Sequence, residues 1–312
     1  MVVESYKTIQ QVKLLAYDWS KFIRTTTVYL PILGPVYIGE RDIKVVLEDL
    51  LLSTDKELFL SYDKNKRWFK EPPERIVLDK IKSSHNAVII PVLFSTESNT
   101  SLKIFYYSIN PLDYGGLMEI KGLVREIVKT MRVNGVRVYT QQQPMINDVS
   151  YSKLIFLKRI GDGDVIDKQD TNIQLFQDLS EEVQRGLDKL GEEGDQEGFR
   201  FLYRQWSTDP SSVGDILCIV KENQIVGAIG PIDIAEDAWG TRHLFSSYFG
   251  VKSDEQRRGY GGMLWDAAMD RAVRQGAEYA LVQNTPQSPA SVFYVQKGLV
   301  LDAEVYSFEF RH

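Results

Sequence analysis

The stretch on which the reading turns is Val251–Gly276, VKSDEQRRGYGGMLWDAAMDRAVRQG. A strand-like run, Leu244–Val251, leads into it, and its second half is an amphipathic helix bounded by Gly276. Between the two stands Gln256-Arg257-Arg258-Gly259-Tyr260-Gly261-Gly262. Glycines let a backbone approach a ligand closely, and the first N–H groups of a helix have no intrahelical acceptor. The positive end of the helix dipole and two arginines add to these, so the stretch reads as a site for a pyrophosphate or similar anion. Met263, Leu264, Ala267, Ala268 and Ala272 form the apolar stripe that would face the core.

Working outward, strand Tyr279–Asn284, a short helix Pro289–Gly298 and a last strand Leu299–Phe310 are expected downstream. Upstream, Asp215–Lys221 and Gln224–Ile229 form a hairpin about Glu222-Asn223, and Gly230–Gly240 reads as an acidic loop. A single strand is expected over Arg242–Val251. Before these, Asn172–Phe176 is strand-like, Ser180 is a candidate N-cap for a helix to about Gly191, and Gly198–Trp206 is helical. The glycine- and aspartate-rich segment GDGDVIDKQDTN, Gly161–Asn172, marks a boundary, giving domains 1–165 and 166–312.

In the first half, helical spacing predicts helices over Gln10–Ile23, Arg41–Leu52 and Gly116–Val133. Strands are expected at Glu57–Tyr62, Ala87–Phe94, Ser101–Ile109, Val136–Thr140 and Ser152–Ile160, and the Pro/Gly-rich Leu30–Gly39 reads as a loop or lid. There is an internal echo. Tyr114-Gly115-Gly116-Leu117-Met118, a helix, Gly135 and Val136–Thr140 follow the order of Tyr260-Gly261-Gly262-Met263-Leu264, Gly276 and Tyr279–Asn284. Asn110-Pro111-Leu112-Asp113 replaces the Gln-Arg-Arg-Gly of the later loop.

At 312 residues the chain has room for two domains, and its net charge of −6 gives no reason to expect nucleic-acid binding. The lone Cys218 excludes an internal disulfide, and three histidines leave no His/Cys metal cluster, so no metal is expected. The absence of a signal-like N-terminus or a long apolar run makes a cytoplasmic chain with no membrane partner the expectation.

This order of elements resembles the GNAT superfamily of acyl-CoA-dependent N-acyltransferases. The superfamily's motif, Gln/Arg-x-x-Gly-x-Gly/Ala between a strand and a helix, stands complete at Gln256–Gly261. A second element, Ala290-Ser291-Val292-Phe293-Tyr294 through Gly298-Leu299, resembles the superfamily's Ala-x-x-Phe-Tyr-x-x-x-Gly-Phe helix, with Leu for the last Phe. The resemblance covers about residues 172–312 and implies an α/β (α+β) fold, a central mixed, mostly antiparallel sheet flanked by helices. With the echo at Tyr114, it implies a tandem of two GNAT-like domains, the first degenerate; an unrelated α/β domain is the alternative.

The resemblance also implies roles. Acetyl-CoA is the expected cosubstrate, bound through Phe249, Gly250, Val251, Gln256, Arg257, Arg258, Gly259, Tyr260, Gly261, Gly262 and Asn284. Gln287 stands where a second Asn is frequent. Tyr294 occupies the position of a general acid for the departing thiolate. The glutamate that several protein-acetylating relatives carry is replaced by Phe245, which leaves His243, two residues earlier on the same strand face, as the candidate base. Asp233 and Glu236 are candidate contacts to an amine. The expected activity is N-acetylation of a small-molecule amine, such as a cationic antibiotic in resistance or self-protection, by a monomer or homodimer. The alternatives are a protein or peptide N-acetyltransferase and a CoA-binding regulatory module without turnover.

Overall fold

The computed structural model describes residues 14–146, 151–165, 173–193 and 197–310. In chain order the strands and helices begin with β1 (Thr27–Leu30), β2 (Gly34–Tyr37), α1 (Lys44–Asp55), β3 (Glu74–Ile76), β4 (Lys82–Ser83), β5 (Ala87–Ser95) and β6 (Thr100–Ser108). Then come α2 (Tyr114–Val128), β7 (Val136–Thr140), β8 (Tyr151–Arg159), β9 (Ile173–Leu175), α3 (Glu181–Gln184), α4 (Gly186–Glu193) and α5 (Glu197–Thr208). The chain continues through β10 (Asp215–Lys221), β11 (Gln224–Ile232), β12 (Ile234–Glu236), β13 (Arg242–Leu244), β14 (Tyr248–Val251) and α6 (Tyr260–Arg274). It ends with β15 (Tyr279–Asn284), α7 (Ala290–Gln296) and β16 (Val300–Glu309). Mixed sheets flanked by helices make this an α/β fold of the expected class.

The residues fall into two compact units, 1–157 with 283–312, and 158–282. The sequence boundary near residue 165 keeps 283–312 with the second half, whereas compactness groups those residues with the first. Pairing explains the difference: β16 runs antiparallel to β7, Phe308 opposite Val138, and antiparallel to β8, Glu304 opposite Leu154.

In the first unit β5 and β6 are antiparallel, and β6 and β7 are parallel, joined through α2. α2 presents Ile120, Leu123, Val124 and Ile127 at helical spacing to Ile104, Val138 and Phe308, and all seven side chains are buried. Each such burial stabilises the unit by roughly 1.5–3 kcal/mol before entropy is charged against it. Asp113 caps α2, its carboxylate accepting the Gly116 N–H at 2.9 Å. Gly116 is required by packing, since a Cβ there would lie 2.6 Å from Tyr106 Oη and 2.8 Å from Leu112 Cδ1.

Several first-half expectations change. Leu30–Gly39 is no lid: β1 and β2 pair as an antiparallel hairpin with Val28, Leu30, Leu33, Val36 and Ile38 buried. Left-handed backbone at Ile32 and Gly34 makes its turn, and in a two-stranded sheet Pro35 breaks no inner ladder. Glu57–Tyr62 is turn and irregular chain. The N-terminal helix is seen only over 14–16, followed by a 3₁₀ turn Trp19–Lys21; residues 10–13 of the expected helix lie outside the described part. Most of the boundary segment 161–172 also lies outside it.

In the second unit, β14, β11, β10 and β9 form an antiparallel sheet in that order. The β10–β11 turn places Glu222 and Asn223 at positive φ, 50° and 60°, as a two-residue hairpin turn requires. Cys218 lies buried in β10, and burial pushes its thiol pKa far up, which agrees with a structural role. Ser180 precedes α3 without a side-chain cap. Gly230–Gly240 is not a loop throughout: β11 extends to Ile232, and β12 pairs antiparallel with β13, Glu236 opposite Arg242. The expected strand Arg242–Val251 is broken in two. β13 pairs in parallel with β15, whereas β14 leaves β15 and pairs with β11.

Candidate functional site

The break between β13 and β14 shapes the site. His243 and Leu244 stand opposite Tyr279 and Ala280 of β15, and from Ser247 onward the chain diverges toward β11. Lys252 donates its N–H to Val226 O at 2.8 Å, toward β11. Strand alternation then turns the Gly250 N–H the same way and the Phe249 and Val251 N–H groups away from β11. The Gln256 side chain confirms this sense, since it reaches the Val251 carbonyl at 3.2 Å. β14 is the terminal strand of its sheet, so the Phe249 and Val251 N–H groups point away from β11 on its outer side.

The chain then turns into α6. Arg257 has φ 60° and Gly259 φ 88°, two left-handed residues separated by one. A non-glycine residue in that region costs energy, and such local strain is retained where surrounding structure fixes it. Gly259 is the N-cap residue of α6 and supplies no side-chain cap. Here the Gly259 loop differs physically from its echo: α2 has the Asp113 carboxylate at its N-terminus, and α6 has a bare glycine. Gly227 on β11 lets the helix come close, since a Cβ there would stand 3.1 Å from Leu264 and 3.2 Å from Val251 side-chain carbons. Trp265 of α6 is buried with its ring 6.2 Å from that of Phe249.

The two arginines separate in role. Arg258 is tied back by an ion pair to Glu255 at 3.2 Å, and Glu255 also accepts from Lys221 Nζ at 2.6 Å. The Glu255 hydrogen bond raises the Lys221 pKa. Glu255, buried to 8% exposure just ahead of the motif, holds both cations, and the sequence did not single it out. Arg257 is exposed and has no ion-pair partner among the described residues, which leaves its guanidinium available to an anion.

His243 sits in the β12–β13–β15 sheet, stacked on Tyr279 at 5.1 Å and edge-on to Phe245 at 5.3 Å. Tyr279 in turn donates to Asp237 at 3.0 Å, and Asp237 accepts the Trp239 and Thr241 N–H groups at 2.9 Å each. Burial outweighs the Asp237 charge and pushes the His243 pKa down to about 4. Backbone hydrogen bonding to Thr241 and Ala235 pulls its pKa the other way without outweighing the burial, and Nδ1 itself is fully enclosed. Asp233 precedes β12 and Glu236 ends it: a Cβ on Gly214 would collide with Asp233, and Glu236 is exposed.

This predicts a stability profile. The folded chain keeps His243 neutral to about pH 4, whereas the unfolded chain protonates it below the ordinary 6.5. The stability is fully present above pH 6.5 and is lost as pH falls toward 4, on the order of 3 kcal/mol. In His243→Phe, which retains the stack, urea midpoints measured from pH 7 to 4 should lack that loss; identical pH curves for the two proteins would refute it.

In the first unit, Asn284 spends its amide locally, donating to Ser291 Oγ at 3.0 Å while its carbonyl accepts the Thr285 N–H at 2.8 Å. Gln287 is exposed in the turn before α7. Tyr294 is only 8% exposed, its ring 5.7 Å from Phe156 and 5.9 Å from Phe293. Burial raises its pKa, so the phenol keeps its proton through the neutral range.

Residues 174–299 match the acetyltransferase (GNAT) family model. Over this stretch the chain is similar to that family. The chain as a whole is similar to a tandem GNAT protein from the clavulanic acid biosynthesis pathway, solved without AcCoA, at TM-score 0.50 and 11% identity, over 86% of this chain and 94% of that one. It is also similar to a GNAT-family acetyltransferase from Colwellia psychrerythraea, at TM-score 0.48 and 8% identity, over 93% of this chain and all (100%) of that one. A GCN5-related N-acetyltransferase from Sphaerobacter thermophilus is similar at TM-score 0.46 and 13% identity, over 74% of this chain and 82% of that one. No curated protein matches the chain. The match to that family supports acyl transfer as the class of reaction. Among the described residues no metal-holding cluster exists, and no helix is long and apolar enough to cross a membrane.

Proposed function

We propose that the chain is an acetyl-CoA-dependent N-acetyltransferase acting on a primary amine of a small cationic molecule. The observation that carries this reading is the contrast between two helix starts, α2 closed by Asp113 and α6 opened by Gly259. In α6, first-turn N–H groups, the left-handed Arg257–Gly259 backbone and the Arg257 side chain hold the CoA pyrophosphate. The outer side of β14, where the Val251 N–H points away from β11, supplies a backbone donor for the thioester carbonyl and the tetrahedral oxyanion. A neutral amine forms the new C–N bond, the C–S bond breaks, and Tyr294 gives its proton to the thiolate and regains one from solvent.

A conjugate acid of pKa about 4 makes His243 too weak to keep an ammonium proton. The proton therefore leaves to water, and His243 acts through packing on Tyr279 rather than by touching the amine, while Asp233 and Glu236 attract the cation. The net charge of −6 favours a cationic acceptor such as an antibiotic or a polyamine, and self-protection in the cytoplasm is the biological role that fits. The first unit is read as a GNAT-like partner domain whose own anion site Asp113 has closed. Thiol release from acetyl-CoA over a panel of polyamines, aminoglycosides and basic peptides tests the proposal. Turnover with a small amine is the expected result; CoA binding without thiol release across the panel would overturn it in favour of a regulatory module.

A further inference from the structure

The first unit contains a cavity of about 1200 Å³ that the acetyl-transfer reading does not use. It lies among the end of α1, the chain before β3 and the β5–β6 turn, and includes Asp63, Glu74, Thr54, Phe69, Pro72 and Ser98. Its volume suits a small ligand. Five of its described lining residues are acidic and three are basic. Excess acid alone would mean little, and the deciding feature is Asp63.

Asp63 is 2% exposed, yet it faces the cavity. Its Oδ1 accepts the Asn65 N–H at 2.8 Å, and its Oδ2 takes no hydrogen bond from a described residue. Glu74 beside it is satisfied, one oxygen accepting Lys103 Nζ at 2.5 Å and the other the Ile32 N–H at 3.1 Å. The charged neighbours of Asp63 are Lys64 and Lys66 on its own loop and Glu74 on β3, and none makes an ion pair with it among the described residues. A buried carboxylate with one oxygen unanswered costs free energy that a ligand cation can recover. The burial raises the Asp63 pKa to about 6, the direction that an uncompensated site produces.

The rest of the lining narrows the ligand. Ser53, Ser95, Thr96 and Ser98 line the cavity; Ser53 and Thr96 spend their O–H on backbone carbonyls, which leaves their oxygen lone pairs to accept from a ligand's donors. Phe69, 39% exposed, and Pro72 offer flat apolar faces. Hydroxyl partners, one buried carboxylate and an apolar wall together fit a compact polyhydroxylated ring bearing an amine. We infer that this cavity is a binding site for a small polyhydroxylated primary amine, anchored as its ammonium on Asp63, independent of acetyl transfer.

Isothermal titration of the full chain without acetyl-CoA tests it, with 2-deoxystreptamine as the cationic probe and myo-inositol as the uncharged one. Saturable binding of the amine and not of the inositol is expected. Asp63→Asn should weaken it about tenfold or more, the size of a lost charge-assisted contact. Lowering pH from 7 to 5 should weaken wild-type binding by about tenfold as Asp63 takes up its proton, and Asp63→Asn should lose that dependence. Phe69→Ala, on the exposed wall, should also weaken binding while leaving the thermal unfolding curve unchanged, which guards against misreading a folding defect. No binding of the amine to the wild type overturns the inference, and so does binding that Asp63→Asn leaves intact. Neither outcome touches the acetyl-transfer reading, which thiol release decides separately.

Discussion

Gly259→Asp should abolish acetyl-CoA binding, with affinity down at least about a hundredfold, while Gly259→Asn should keep a measurable fraction of it. The expected cause is not a collision, because a Cβ at Gly259 meets nothing within 4 Å. Two other effects act. At φ 88° any side chain is strained, and Asn and Asp tolerate that region better than Ala. A carboxylate at the N-cap also brings its own anion to the helix N-terminus, as Asp113 does on α2. Asp and Asn are alike in shape and backbone tolerance, so their difference isolates charge. Gly259→Ala then reports strain alone, on the order of 1–2 kcal/mol of stability. Equal CoA affinity in the Asp and Asn variants, measured by titration calorimetry, would remove the anion site from this loop.

The same comparison shows what sequence could and could not disclose. The β10–β11 hairpin, the β6–α2–β7 unit and α6 were legible because alternation, helical spacing and turn residues agree locally. Leu30–Gly39 was misread because Pro31, Gly34 and Pro35 speak for a loop, and only burial on both strands shows a hairpin. The break at Phe245–Ser247 was invisible, since Arg242–Val251 alternates well enough for one strand; the exchange of partner from β15 to β11 is a long-range choice. Spacing places His243 on the same strand face as Phe245, and the two rings touch. What spacing cannot carry is desolvation, and desolvation decides whether an imidazole is a base. Asp63 was missed for the opposite reason. Nothing in LeuSerTyrAspLys-type chain around it distinguishes a buried aspartate from a surface one, and its meaning comes from the partner it lacks.

Tyr294→Phe should lower turnover by about a hundredfold or more, the range of a lost general acid, and leave acetyl-CoA affinity nearly unchanged. The separation is possible because the ring and the hydroxyl serve different ends. The ring packs between Phe156 and Phe293, and phenylalanine keeps both contacts, so the thermal unfolding midpoint should move little. Tyr294→Ala, by contrast, should cost about 3–5 kcal/mol of stability, as truncation of a buried aromatic does. If Tyr294 were only a packing residue, the Phe variant would turn over like the wild type and the Ala variant would fail through unfolding. If it is the acid, the Phe variant fails while folded. The raised pKa adds a second readout: the proton is present through neutral pH, so loss of the acid should not introduce or remove a rate inflection between pH 6 and 8. The defect should instead depend on the leaving group, shrinking for an acyl donor whose thiol is more acidic and departs without help. A rate ratio between wild type and Tyr294→Phe that stays constant across such donors would take the phenol out of the proton transfer.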